Sequence, residues 1–219
     1  ANDLTMIAIA ELKGAGEVIV PALTWVSDIS AVIRSGLVPV FVDIDPDYYS
    51  LNEQLLEAVI TTNTKAIMPV HLHGQAVNMD EVMRIANKYN LPVIEDCAQS
   101  IGSIYKNKHT GTFGIAGAFS LHPLKSLGGM GDGGFISTNN EDLANQVRLM
   151  RNHGLSNRDS AEIWGFNSRL DEIQAAFLNI KLNNFASNKA RTKKIGNYFL
   201  LDNKNQDNFL NEIKKIIGN

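Results

Sequence analysis

The chain has 219 residues, of which 44% are hydrophobic and 20% are charged. This composition is typical of a soluble globular protein, and the net charge of −3 argues against a nucleic-acid or membrane surface. No apolar run reaches membrane-spanning length, and no signal peptide is evident. Cys97 is the single cysteine, so no internal disulfide can form, and we expect a reducing, cytoplasmic location.

The predicted elements alternate between short apolar strands and amphipathic helices. The helices are predicted at 3–12, 28–34, 53–60, 79–89, 141–151 and 167–182. The strands are predicted at 17–20, 38–45, 66–70, 92–95, 118–121 and 134–138. This alternation indicates βαβ units, and therefore an α/β fold with a mainly parallel sheet flanked by helices. Later in the chain, residues 200–208 look like a linker and residues 209–219 like a short helix.

Polar side chains follow several of the predicted strands. In open α/β sheets, ligands bind beyond the carboxyl ends of the strands, so these residues are candidates for a shared site. They are Trp25 after the first strand, His71, His73 and Gln75 after the third, Asp96 and Gln99 after the fourth, and Ser120, His122 and Lys125 at the fifth.

Lys125 has the most unusual surroundings of these candidates. It lies in AFSLHPLKSLGGMGDGG, between an apolar strand and five glycines that let the backbone turn sharply and approach a ligand closely. A nucleophilic lysine needs an apolar neighbourhood, which disfavours the ammonium form. A surface lysine in a glycine-rich loop is the alternative interpretation of this stretch alone.

A lysine and a carboxylate on neighbouring strand ends fit the chemistry of pyridoxal phosphate (PLP). This cofactor forms a Schiff base with a lysine, and an acid keeps its pyridine nitrogen protonated so that the ring can withdraw electrons. Asp96 is the candidate acid beside Lys125. An aspartate in this position is often only a helix cap, so both interpretations of Asp96 stay open.

The remaining candidates could hold other parts of the same cofactor. Trp25 offers a flat face for a ring, although such a tryptophan is more often part of a core. Gln99 could donate to the ring oxygen or face solvent. Ser120 could bind the phosphate, together with the main-chain amides of a helix that begins near Asn2 and Asp3.

Seven segments, in order and spacing, resemble the DegT/DnrJ/StrS family of sugar aminotransferases, which have the aspartate-aminotransferase fold (PLP fold type I). The resemblance covers about residues 1–181. The segments are PALTW, VPVFVDIDPDYYSLN, PVHLHGQAVNMDEV, PVIEDCAQSIGSIYKNKHTGTFG, AFSLHPLKSLGGMGDGGFI, RNHG and GFNSRLDEIQAA.

This resemblance implies a role for each site residue. Lys125 is the Schiff-base lysine and proton carrier, and Asp96 pairs with the pyridine nitrogen. The other implied contacts are Gln99 to the ring hydroxyl, Trp25 on the ring, Ser120 with Asn2 and Asp3 at the phosphate, and Asn167 to the phosphate of a partner subunit. A homodimer with shared active sites would follow, with no metal, no nucleic acid and no membrane involved.

The function that the resemblance implies is PLP-dependent transfer of an amino group from glutamate to a keto sugar linked to a nucleotide, through pyridoxamine phosphate (PMP). The alternatives are a cyclitol (inosose) aminotransferase, a non-catalytic PLP-fold regulator and a sugar dehydratase, whose relatives carry histidine in place of Lys125. An NAD-binding Rossmann protein is a weaker alternative, because no G-x-G-x-x-G follows the first strand.

The chain also departs from the family pattern. Ser126 replaces the usual asparagine after the lysine, and His73 stands where an aromatic residue is common. Family members are longer, so we expect a PLP-binding large domain with its interface helix over residues 1–185. Residues 186–219 would then be a remnant of the C-terminal small domain, most of which is absent.

Overall fold

A computed structural model describes the backbone of residues 1–201 and the side chains of residues 1–193. The helix predicted at 209–219 and most of the predicted linker lie outside the described residues. Within the described residues, no helix is both long and apolar enough to cross a membrane. The chain divides into one compact unit, Ala1–Asp171, and a second unit that begins at Glu172. The domain boundary expected at residue 185 stays a prediction.

The elements largely follow the predicted alternation. The helices are α1 (Asn2–Lys13), α2 (Val26–Arg34), α3 (Glu53–Leu56), α4 (Met79–Lys88), α5 (Glu141–Met150), α6 (Glu172–Asn183) and α7 (Phe185–Leu201). The strands are β1 (Glu17–Pro21), β2 (Val38–Val42), β3 (Thr64–Ile67), β4 (Ile94–Asp96), β5 (Ile104–Tyr105), β6 (Lys108–His109), β7 (Ala116–Ser120), β8 (Gly134–Ser137), β9 (Leu155–Asn157) and β10 (Ser160–Ala161).

The first unit is built on two three-stranded sheets that meet edge to edge. One has the order β2-β1-β3 and the other β4-β7-β8, and all neighbours are parallel except the antiparallel pair β7 and β8. Parallel bridges of Ile67 to Val93 and of Val70 to Asp96 join β3 to the β4 region. The prediction of a mainly parallel sheet is confirmed. The carboxyl ends of β1, β2, β3, β4 and β7 therefore lie along one edge.

Both faces of the sheet are buried, because successive strand residues point to opposite sides. Ile19 packs into a cluster with residues of α3 and α4, while its neighbours Val18 and Val20 pack with residues of α1 and α2. Each such aliphatic side chain contributes roughly 1.5–3 kcal/mol to folding when it is fully buried. A third cluster packs α1 and α5 around β7. These layers fix the strand ends that carry the candidate residues.

Two predicted helices differ from the structure by several residues, and one helix, α7, was not predicted. The helix at 53–60 is one α-helical turn, α3, followed by a 3₁₀ turn at Glu57–Val59. The helix predicted from Asn167 begins at Glu172, because Asn167 pairs in an antiparallel bridge with Asn152 and the Ser168 main-chain NH donates to the Arg151 carbonyl. Helix α7 extends to Leu201, into the predicted linker.

Candidate active site

The candidate lysine, Lys125, follows strand β7 and lies at the edge of the sheet. Ser120 ends the strand, and Pro123 comes three residues later, where the chain turns. The turn is closed by the Lys125 main-chain NH, which donates to the His122 carbonyl at 2.8 Å. The Lys125 side chain is half-buried. This combination places an amine at the carboxyl end of a central strand.

The glycine-rich loop then folds back on the same strand. The Gly129 NH donates to the Leu121 carbonyl at 2.7 Å, and the Leu121 NH donates to the Gly133 carbonyl at 2.8 Å. A Cβ at Gly128 would lie 2.1 Å from the Pro123 carbonyl oxygen, so a side chain there would force the backbone apart. The glycines therefore allow the loop to pack tightly beside Lys125.

A cleft of about 530 Å³ opens at this edge. Its volume is that of a small-molecule or cofactor site. Of the residues to which the resemblance assigns a role at the cofactor, all except Asn167 line it, whereas the strand-end candidates His71, His73 and Gln75 do not. Those that line it are Asn2, Asp3, Trp25, Asp96, Gln99, Ser120 and Lys125.

Asn167 lines a second cavity of about 740 Å³. This cavity also contains Arg148, Arg151 and Arg169, and the Arg169 Nε donates to the Asn167 Oδ1 at 3.0 Å. The arrangement is rich in cationic donors, which suits an anion.

Asp96 is held in place at the end of β4. Its carboxylate is almost completely buried. One oxygen accepts the Ala98 main-chain NH at 2.7 Å, and the other accepts the Asn2 Nδ2 at 3.4 Å. Asn2, expected near the phosphate, therefore donates to the candidate acid.

Asp28, which we did not identify from the sequence, is a second buried carboxyl group in this cleft region. It is fully buried in the first turn of α2 and accepts hydrogen bonds from Asn2 Nδ2 at 2.6 Å and from the Thr24 hydroxyl. Burial raises the pKa of Asp28 to about 9, and the nearby Asp96 adds to this, whereas Thr24 and Asn2 act in the opposite direction.

The sequence pattern around Asp28 could have identified it as a buried residue. Asp28, Ala31 and Val32 have the i, i+3, i+4 spacing of a buried helix face, and all three are buried. An aspartate on such a buried helix face indicates that the position has a structural or functional role. The helix N-terminus favours its ionised form by only about 0.3–1 kcal/mol, and up to ~2 kcal/mol when partly buried, which is less than the several kcal/mol that desolvation of an ion costs.

Trp25 and Gln99 present a ring face and an amide to the cleft. Trp25 is 69% exposed and immediately precedes α2, so it is not a core residue. The Gln99 Oε1 accepts the His73 main-chain NH at 2.7 Å, which orients the amide and leaves its NH₂ group as a donor. His73 itself has a φ of 55°, in the left-handed region.

The other end of the cleft contains Ser120 and the start of α1. The Ser120 Oγ lies 3.3 Å from the His122 main-chain nitrogen and accepts its hydrogen. The Asp3 carboxylate accepts two hydrogen bonds from Arg34, at 2.7 and 2.8 Å, so its charge is already paired. Helix α1 begins at Asn2 without a side-chain cap. Uncapped main-chain amides at a helix start favour an anion such as a phosphate.

A buried cluster lies directly behind the cleft. One ligand atom from each of His71, Glu95 and Cys97 lies within 4.8 Å of the others. The His71 Nδ1 accepts the Val77 NH, so the ring proton lies on Nε2 and is donated to Glu95 at 3.0 Å.

The rest of Glu95 is also occupied by hydrogen bonds. It accepts the main-chain NH groups of Gly111, Phe113 and Gly114, at 2.7–2.8 Å. Burial, and secondarily the charge of Glu95, raises the pKa of the Cys97 thiol far above its usual range. The cluster is therefore a hydrogen-bonded support for the end of β4.

A comparison with protein families shows which family the chain belongs to. The family model of the DegT/DnrJ/EryC1/StrS aminotransferases matches residues 1–207. The chain belongs to this family.

Individual relatives agree with the family match. A UDP-N-acetyl-3-dehydro-alpha-D-glucosamine 3-aminotransferase of Acidithiobacillus ferrooxidans is 43% identical over 200 residues, which are 90% of this chain and 54% of that protein.

Two solved structures have the same fold. DesV of S. venezuelae, in complex with a ketimine intermediate, has a TM-score of 0.84 at 38% identity over 90% of this chain and 54% of its own. NtdA of Bacillus subtilis, with bound cofactor PMP, has a TM-score of 0.77 at 35% identity over 93% of this chain and 48% of its own. The chain thus spans about half the length of these DegT/DnrJ/EryC1/StrS proteins.

The residues of the cleft fit PLP. The donor set offers an amine for the aldehyde (Lys125), a carboxylate for the pyridine nitrogen (Asp96) and an amide for the ring oxygen (Gln99). It also offers an aromatic face (Trp25), and Ser120 with the start of α1 can receive the phosphate.

Proposed function

We propose that the protein is a PLP-dependent aminotransferase that moves an amino group from glutamate to a keto sugar linked to a nucleotide. The observation that carries this proposal is that Lys125 and Asp96 line one cleft, at the ends of the adjacent parallel strands β7 and β4. The relative from Acidithiobacillus ferrooxidans acts, by its name, on a UDP-linked dehydro sugar, which supports this substrate class.

Lys125 and Asp96 would carry the chemistry. When bound, PLP would supply a carbonyl carbon that carries the amino group between donor and ketone, and a ring that withdraws electrons. Lys125 would hold the cofactor through its Nζ and move a proton to or from the substrate carbon. Asp96, fixed by Ala98 and Asn2, would keep its negative charge beside the pyridine nitrogen.

The other residues would position and shield the cofactor. Trp25 would cover one face of the ring and exclude water from it, and the Gln99 NH₂ group would donate to the ring oxygen. Ser120 and the amides at the start of α1 would bind the phosphate. The Asp3 side chain would contribute through its pairing with Arg34 rather than through a direct contact.

We propose a homodimer in which Asn167 completes the site of the partner subunit. Asn167 and three arginines line a cavity that adjoins the cleft of the same chain, but none of the four lines the cleft itself, which supports a role toward a group outside that cleft. A phosphate would match these donors.

The proposed activity is tested with the purified full-length protein, PLP and ¹⁵N-labelled glutamate. A panel of UDP-, dTDP- and GDP-linked keto sugars is offered beside inosose, and Lys125→Ala protein serves as the control. We expect a ¹⁵N-amino sugar nucleotide from at least one member of the panel. Amination of inosose alone would favour the cyclitol enzyme, and PLP binding without any turnover would favour the regulator.

A further inference from the structure

Two buried carboxyl groups share one side-chain amide at the base of the cleft. The Asn2 Nδ2 lies 2.6 Å from an oxygen of Asp28 and 3.4 Å from an oxygen of Asp96. Asp28 is fully buried and Asp96 is 3% exposed. Within residues 1–193, no ion pair involves either carboxyl group. Two carboxylates in one dry site repel each other, so such a pair retains a proton.

The charges around the pair decide which group holds that proton. From α1, the Asp3 carboxylate is neutralised by Arg34 of α2. From β4, Asp96 has the more favourable position for a charge, because it accepts a main-chain NH at 2.7 Å and lines the cleft. Asp28 does not line the cleft, and burial raises its pKa to about 9.

We propose that Asp28 is a positioning residue that remains a neutral carboxylic acid and, with Asn2, holds Asp96 as the single negative charge facing the cofactor nitrogen. This inference rests on the proposed function only in naming the group that Asp96 faces. Asp28 itself does not touch the cofactor. One oxygen of Asp28 accepts the Asn2 Nδ2 and so orients Asn2, and the acid proton of Asp28 is donated to Asp96, with which it is hydrogen-bonded.

The test uses Asp28→Asn, which keeps the size and neutrality of the side chain, and Asp28→Ala, which removes its hydrogen bonds. Asp142→Asn is the matched control, because Asp142 is an exposed aspartate in the first turn of α5. The infrared spectrum of each protein without cofactor is recorded at pH 7, and PLP affinity is measured by titration.

We expect a protonated carboxyl C=O band in the wild type and in Asp142→Asn that is absent from Asp28→Asn. We also expect Asp28→Asn to bind PLP within about threefold of the wild type, and Asp28→Ala to bind about tenfold more weakly, which corresponds to one hydrogen bond. The free energy of unfolding of the wild type, relative to Asp28→Asn, should decline as pH rises from about 4 to about 9, since the folded protein keeps a proton that the unfolded chain releases.

Three outcomes would overturn the proposal. One is the absence of the band from the wild type at pH 7. Another is a tenfold loss of PLP affinity in Asp28→Asn, which would make Asp28 a functional charge. The third is unchanged affinity in Asp28→Ala. If the wild type binds no PLP at all, the proposed function fails, while the infrared and unfolding measurements still report whether Asp28 holds the proton.

Discussion

At the residue scale, Lys125 combines partial burial with the lack of a carboxylate partner. None of the ion pairs within residues 1–193 involves it. We expect Lys125→Ala in the full-length protein to lower the transamination rate more than about a hundredfold, the usual contribution of a proton-transfer group. Lys13→Ala, at the exposed end of α1, should retain the rate.

The attachment site provides a second measurement. Borohydride reduction of the wild type with PLP should fix the cofactor on the peptide that contains Lys125, as read by mass spectrometry. Label on another lysine, or full activity in Lys125→Ala, would contradict the assignment.

Glu95 should control the stability of the protein at acid pH. Burial alone would raise the pKa of Glu95, but the hydrogen bonds from His71, Gly114 and Gly111 outweigh it, and the pKa lies below its ordinary value of 4.5. The stabilising contribution is therefore present above pH 4.5 and is lost as the pH falls through the depressed pKa.

We expect Glu95→Gln to reduce the free energy of unfolding at pH 7 by about 3 kcal/mol, because it leaves buried donors poorly matched. The deficit should shrink below pH 4.5. Glu162→Gln, an exposed change, should stay within about 0.5 kcal/mol at every pH. Urea unfolding from pH 3 to 7 makes the measurement, and an equal deficit at every pH would exclude the carboxylate as the cause.

Most individual site residues could be located from the sequence because each follows a strand. Trp25, Asp96, Gln99, Ser120 and Lys125 all line the cleft. The roles assigned to them stay predictions. The network behind them could not be located, because its partners are separated along the chain. For example, His71 meets Glu95 only once two strands lie side by side.

At the element scale, α5 supports β7 and therefore the loop that carries Lys125. The Asn140 side chain caps α5 by accepting the Leu143 NH at 2.8 Å. Asn140→Ala should cost about 1 kcal/mol of stability. Asn145→Ala in the middle of the same helix should cost nothing or stabilise slightly, since alanine is the better helix former. Thermal unfolding of both variants gives the comparison, and equal losses would exclude capping as the cause.

Element types were easier to predict than element boundaries. Alternating apolar runs identified the strands of the main sheet, because both sheet faces are buried and the pattern is strong. The predicted start of α6 was wrong because Asn167 forms a long-range β-bridge with Asn152, and no local sequence pattern reveals this bridge. Helix α7 was not predicted because its sequence is polar, and only its last two residues overlap the predicted linker.

At the scale of the whole molecule, the proposed sharing of active sites can be tested by mixing subunits. Lys125→Ala and Asn167→Asp homodimers should each be weakly active. In a heterodimer of these two variants, one site would contain both changes and the other site neither change. One of the two sites should therefore be fully active.

The matched control places both changes in one subunit. A heterodimer of the wild type with the Lys125→Ala/Asn167→Asp chain would have a change in both sites and should be no more active than the Asn167→Asp homodimer. Differently tagged subunits allow each heterodimer to be purified and assayed. Equal activity in the two heterodimers, or a fully active monomer in sedimentation, would argue against sharing.

Asn2 has a further consequence for how the site forms during folding. Its amide reaches Asp28, 26 positions along the chain, and Asp96, 94 positions along. Contacts of such long sequence separation form slowly, because the intervening chain must close first. The refolding chain should therefore become able to bind PLP only when α1 packs onto the sheet, after the strand that carries Asp96 has formed. During refolding, the helical signal should appear before PLP binding. The delay between these two signals would measure how long α1 takes to pack against the rest of the protein.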